Sequence, residues 1–80
     1  MKFYFTFGQG QRHEVNDIVL DKNTCLVVED ESEGRARKRV SDLIGLRWCT
    51  TYLTPEDAGV DRWGYRLVDF DELTPPQEAV

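Results

Sequence analysis

Phe3, Phe5 and Phe7 occupy alternate positions of the segment Lys2-Phe3-Tyr4-Phe5-Thr6-Phe7. A period of two in aromatic and β-branched residues puts the three rings on one face of an extended strand, with Lys2, Tyr4 and Thr6 on the other. Three phenylalanines on one strand face need cover, and only 80 residues supply it. A chain of that length is a single domain that buries about 60% of its unfolded surface, so its stability is modest. The 40% hydrophobic content is enough for one small core.

The rest of the chain supplies the cover in a readable order. Gly8-Gln9-Gly10 ends the first strand, and Gln11 to Asn23 is polar apart from Val15 and Ile18-Val19-Leu20. This stretch reads as a loop carrying one short strand at 18–20, with Asn16-Asp17 and Asp21-Lys22-Asn23 as turn residues on either side. Thr24 to Glu29 is the second main strand, apolar on both faces at its centre. Ser32 is placed to cap a helix over 33–44, where Glu33 and the preceding acids favour the positive end of the dipole. Ala36, Val40, Leu43 and Ile44 form its apolar stripe, and Gly45 fits the positive-φ residue that ends a helix. Arg47 to Leu53 is the third main strand, and Thr54-Pro55 opens a single helical turn. Tyr65 to Phe70 is a short edge strand. From Glu72 onward the chain is polar and carries Pro75-Pro76, which sets the expected boundaries at 1–72 for the globular domain and 73–80 for a disordered tail.

The expected fold is therefore α+β: a three- or four-stranded, mostly antiparallel sheet with one helix packed on one face, in β-β-α-β order. One 12-residue helix covers one side. The other side then exposes some of Tyr4, Trp48, Tyr52 and Trp63 unless the segment from Pro55 to Gly64 folds over it.

Three groups of residues carry a resemblance: Phe3-Tyr4-Phe5-Thr6-Phe7-Gly8-Gln9-Gly10; Asn16 followed by Leu20-Asp21-Lys22; and a helix with Ala36-Arg37 leading to Gly45-Leu46-Arg47-Trp48-Cys49 and Tyr52. Over residues 3–53 the chain resembles a widespread group of short phage and prophage accessory proteins, those of actinobacterial phages above all. Their motifs carry no assigned chemistry. Members often have two histidines after the Gly-Gln-Gly turn. Here the first of those positions is Gln11 and only His13 remains, which counts against a metal-binding loop. The resemblance implies a small protein acting on a host component.

Charge narrows the partner. Ten Lys and Arg against fifteen Asp and Glu give a net charge of −5, so direct binding of nucleic acid or an anionic membrane lacks the positive excess it needs. No apolar run approaches the roughly 18–20 residues of a membrane span, and the alternating start does not match a signal peptide. Cys25 and Cys49 lie in apolar runs outside any C-x-x-C pair, as two buried thiols in a reducing cytosol would. The expected location is the cytosol of the host cell.

Catalytic and metal chemistry find few residues to use. Cys25, Cys49 and His13 are too few and too scattered for a structural zinc site, and no nucleophile, base and orienting group stand at a spacing that joins them. Gly8-Gln9-Gly10 lacks the Lys, Ser/Thr and following helix of a phosphate loop. The expectation is no catalytic residue, no metal and no cofactor. Trp63 and Tyr65, in the glycine-flanked segment after the third strand, are instead of the residue types that anchor protein interfaces. Arg35 and Lys38 on the basic face of the helix form a second candidate patch, with Lys38 placed to pair with Asp42. The function expected is non-catalytic binding and modulation of a host protein by a monomer or weak homodimer. The alternative is an acidic mimic of nucleic acid that inhibits a host defence or DNA-processing enzyme, using the acid runs at 29–33 and 69–72.

Overall fold

In the computed structural model, which describes residues 1–45, 48 and 50–73, the phenylalanine segment forms β1 (Lys2–Thr6). Phe3, Phe5 and Phe7 are all buried. Next comes a hairpin of β2 (His13–Val15) and β3 (Ile18–Leu20), then β4 (Thr24–Glu29) and α1 (Glu33–Ile44). The chain ends in β5 (Thr50–Tyr52), α2 (Pro55–Ala58), α3 (Val60–Trp63), β6 (Arg66–Asp69) and α4 (Phe70–Leu73). The main sheet has the order β5-β1-β4-β6. β1 is antiparallel to β4 and β5, while β6 runs parallel to β4. The fold is α+β, as the sequence predicts.

α1 forms where its signals place it. Ser32 accepts the Arg35 backbone N–H at 3.3 Å, and the Gly45 N–H closes the last turn on Ser41 O at 2.8 Å. Gly45 has the expected positive φ, 75°, with a ψ of −162° that takes it out of the left-handed helical well. Ala36 and Val40 are fully buried and Leu43 and Ile44 pack beside them, against Phe3, Phe5, Leu26 and Val28. Burying Val40 alone is worth on the order of 1.5 kcal/mol. Trp48 joins this face, edge-on to Phe5 with ring centroids 5.0 Å apart, and Arg37 lies 5.5 Å above the indole.

Three elements depart from the expected pattern. The polar stretch after Gly10 is a hairpin, and His13 stands in β2 rather than in a loop. Asn16 and Asp17 both take positive φ (50° and 67°), the signature of a two-residue type I′ turn. The third strand is short, with β5 covering 50–52; Arg47 and Cys49 lie outside the described residues. The expected tail begins one residue too early, because Leu73 closes α4 and is 1% exposed. The Asn16 side-chain amide donates to Leu73 O, tying α4 to the hairpin turn. The remainder of that tail, 74–80, lies outside the described residues.

The connection from β5 to β6 must cross the whole sheet, because these strands sit at opposite edges. It crosses on the face away from α1. Thr54 caps α2 by accepting the Asp57 N–H at 3.1 Å, Gly59 (φ 81°) separates α2 from α3, and Gly64 (φ 66°) ends α3. α2 lies on β1 and β5, and the neighbouring Thr6 and Cys25 are buried at 5% and 0%. The second face is thus covered over one half only.

Candidate functional site

The crossing segment delivers Trp63 and Tyr65 to the end of the sheet where β1 finishes and β4 begins. There they line a cleft of about 420 Å³ together with Phe7, Gly8, Gln9, Lys22 and Asn23. Two tight turns build its far wall. In one, Gln11 N–H donates to Gly8 O at 3.0 Å while Gly8 N–H donates to Gln11 Oε1 at 2.7 Å. In the other, Asp21 Oδ1 accepts the Asn23 N–H at 2.9 Å. Arg66 N–H donates to Asn23 O at 2.8 Å, fixing this turn to the start of β6.

Trp63 is 66% exposed, yet its position is defined. Its backbone N–H donates to Gly59 O at 2.8 Å. The indole lies so close over Gly59 that a Cβ there would stand 2.5 Å from Cδ1 and 2.9 Å from Nε1. Gly59 serves two needs at once: its φ of 81° disfavours any L side chain, and its missing Cβ leaves room for the ring. The result is a large aromatic surface held open to solvent at low conformational cost. Lys22 is the only charged residue among the lining side chains, and it has no ion pair among the described residues. The cleft thus offers aromatic surface, side-chain amides and one cation.

The second candidate patch has a different electrostatic character. Arg35 pairs with Asp30 at 3.3 Å and Glu31 at 3.2 Å, and Lys38 pairs with Asp42 at 2.8 Å, as its i, i+4 spacing predicts. Arg37 and Arg39 are likewise tied to Glu33 and Asp30, each at 3.3 Å. Every cation named for that helix face is therefore engaged by a neighbouring acid. A groove of about 460 Å³ beside Met1, Glu29 and Glu31 is lined by these same Arg35, Arg39 and Asp30 groups. It is larger than the Trp63 cleft but occupied by its own ion pairs.

Asp30 is the hub of that cluster, with a side chain only 8% exposed. The Glu31 backbone N–H, donating at 2.7 Å, holds its carboxyl below the ordinary value of 3.8. The Arg39 hydrogen bond and the charges of Arg35 and Arg39 add to this, against the opposing effect of burial. A carboxyl lowered in the folded state stabilises the fold at pH values above its unfolded pKa, and that contribution is lost as pH falls through the folded value. The melting temperature of the wild type should therefore fall below about pH 4. Asp30→Asn should start lower at neutral pH and show a shallower acid slope. Parallel slopes in thermal melts across this range would remove Asp30 from that role.

Of the residues weighed for chemistry, Gly8 and Gln9 line the cleft, while His13 and Cys25 do not. His13 is half-buried, with its ring 5.9 Å from Phe7. Burial pushes the Cys25 thiol up to about 11, so it holds its proton at neutral pH. Cys49 lies outside the described residues. No group of three or more His, Cys, Asp or Glu is arranged for a metal among the described residues, and no helix there is long and apolar enough to cross a membrane. Sequence reasoning named Trp63 and Tyr65 but missed the wall opposite them. Lys22 and Asn23 are visible in the sequence only as turn residues, and Gly59 only as punctuation. Comparison with protein-family models, curated proteins and solved structures gives no match for this chain.

Proposed function

We propose that this chain is a non-catalytic binding module of the short phage accessory type, acting in the host cytosol, which engages a host protein through the Trp63 cleft. The observation that carries this reading is the exposed indole of Trp63, seated on Gly59 and facing the Lys22 turn. Buried pockets that receive Trp or Tyr are where binding energy concentrates in protein interfaces, and a ring already fixed loses little rotamer entropy on docking. The lining residues offer surface, amides and a cation. They include no His, Cys or carboxylate for acid–base or nucleophilic work.

The test is retention of a host protein by the wild type and by folded variants, followed by titration of the retained protein. Trp63→Ala should weaken the complex by about 30-fold or more, the effect of losing roughly 2 kcal/mol at an interface anchor, while the melting temperature changes little. Lys22→Glu should weaken it further at low salt than at high salt. If Trp63→Ala binds as the wild type does and Arg35→Glu abolishes binding, the interface lies on α1. If His13→Ala or Cys49→Ser abolishes the effect on the host without unfolding the chain, a binding-only role is wrong.

A further inference from the structure

A second recess adjoins the turn that walls the Trp63 cleft. It has a volume of about 440 Å³ and is lined by Arg12, Val19, Asp21, Asn23, Thr24 and Arg66. Asn23 lines both recesses, so the two are continuous across this one residue. Hydrogen bonds fix the shape of the second. Asp21 Oδ1 accepts the Asn23 N–H at 2.9 Å and the Thr24 hydroxyl at 3.2 Å. Arg66 Nη2 donates to Val19 O at 2.8 Å. That carbonyl is neutral, so it holds the guanidinium in place without cancelling its charge.

Together the two recesses are lined by three cations, Arg12, Lys22 and Arg66, and one acid, Asp21. Among the described residues Lys22 and Arg66 take part in no ion pair, and Arg12 has only Glu14, at 3.5 Å with both side chains exposed. An exposed pair of that kind holds a charge only weakly. Along α1, by contrast, Arg35, Arg37, Lys38 and Arg39 each meet an acid at 3.3 Å or less. The parallel strands add direction. Lys22 and Arg66 stand at the beginnings of β4 and β6, whereas Glu29 and Asp30, and Asp69 and Glu72, stand at their ends. A chain of net charge −5 thus sets two cations without ion pairs beside its exposed indole, and such a field steers an anionic partner to this end.

We propose that the partner segment bound here is acidic: a stretch of a protein that sets an apolar or aromatic side chain on Trp63 and Tyr65, crosses Asn23, and places carboxylates against Lys22 in one recess and against Arg66 and Arg12 in the other. This rests on the binding reading of the Trp63 cleft and names the chemistry of its partner. Single-stranded nucleic acid also carries negative charge, with bases that stack on an indole. Three lining cations in an acidic chain are too few to hold a phosphate backbone at physiological salt, which favours the protein segment.

The probe is a capped glutamate-rich peptide with a central phenylalanine, titrated at low salt into the isotope-labelled full chain to about 5 mM, where a weak complex still fills. In NMR spectra the Trp63 indole N–H and the amides of Lys22, Asn23 and Arg66 should shift together. Lys22→Gln and Arg66→Gln should each raise the dissociation constant about threefold or more, and added salt should narrow the difference. Arg66→Lys, which keeps the charge, should bind close to the wild type, and Arg35→Gln should change nothing. The proposal is overturned if these amides do not move, if the shifts centre on α1, or if oligothymidylate of matched charge binds the same residues more tightly than the peptide, which would make the ligand nucleic acid. The host protein retained by the wild type separates this proposal from the reading it rests on. Loss of that protein on Trp63→Ala, with Lys22→Gln and Arg66→Gln both binding as the wild type does, keeps the cleft and removes the acidic partner. Retention that ignores Trp63→Ala removes the cleft reading itself.

Discussion

Val40→Asp is expected to give a chain with no cooperative thermal transition. Val40 is fully buried in the seam between α1 and the sheet, packed with Phe3, Phe5, Leu26 and Val28. A carboxylate there would sit in an apolar cluster, while the nearby Arg37 and Arg39 pair with Glu33 and Asp30. Leaving a buried charge unpaired costs about 3–5 kcal/mol, and the lost valine packing adds roughly 2 kcal/mol. A total stability in the lower part of the range of about 4–12 kcal/mol is expected for so small a domain, and a loss of that size then leaves little or no folded population at physiological temperature. Val40→Ala, which removes packing without adding charge, should only lower the melting temperature. Circular dichroism melts of the three proteins check both expectations, and an unchanged transition for Val40→Asp would mean that α1 does not bury this face.

Gly59→Ala is the second substitution with a large expected effect, and it couples the fold to the site. Holding alanine at a φ of 81° costs about 1–2 kcal/mol. The new methyl would also stand 2.5 Å from Trp63 Cδ1, so the indole must leave its seat. The expected loss is about 2 kcal/mol or more in chemical denaturation, accompanied by weakened partner binding comparable to that of Trp63→Ala. The atoms nearest that methyl all belong to Trp63, which makes the two sites non-additive. In the Trp63→Ala background, Gly59→Ala should cost only its backbone strain, a difference of about 1 kcal/mol measurable as a double-mutant cycle. Additive costs would show that the ring is not held by this glycine.

Local chemistry explains what the sequence made legible. β1, β4 and α1 each carry a complete signal within a few residues: alternation at Phe3, Phe5 and Phe7, a run of apolar residues at 25–28, and a capped helix with its stripe at Ala36, Val40, Leu43 and Ile44. The pairing of Lys38 with Asp42 was equally readable, since i, i+4 neighbours meet wherever a helix forms. The hairpin partner of β3 was also encoded, in the two-residue Asn16-Asp17 link between Val15 and Ile18. His13-Glu14-Val15 is too short and too polar to announce a strand by itself, and becomes one because Ile18 to Leu20 lies opposite.

Tertiary structure decided the rest. That β6 joins the sheet parallel to β4, and not antiparallel at the other edge, depends on where a two-turn crossover ends, which no periodicity within Tyr65 to Phe70 records. That crossover covers Thr6 and Cys25 and leaves Tyr4, Val27 and Leu67 open, so which aromatic residues are buried was settled by the path of residues 53–65. Trp48 packs on the α1 face, edge-on to Phe5, whereas Trp63 lies on the crossover itself and stays at the surface. The cleft likewise joins residues 7–9, 22–23 and 63–65, three segments whose proximity comes from strand pairing across the sheet. The sequence by itself determined which segments are strands and helix and which side chains can anchor a partner. Only the long-range pairing determined which of those side chains face the solvent together, because burial is a property of neighbours distant in the chain.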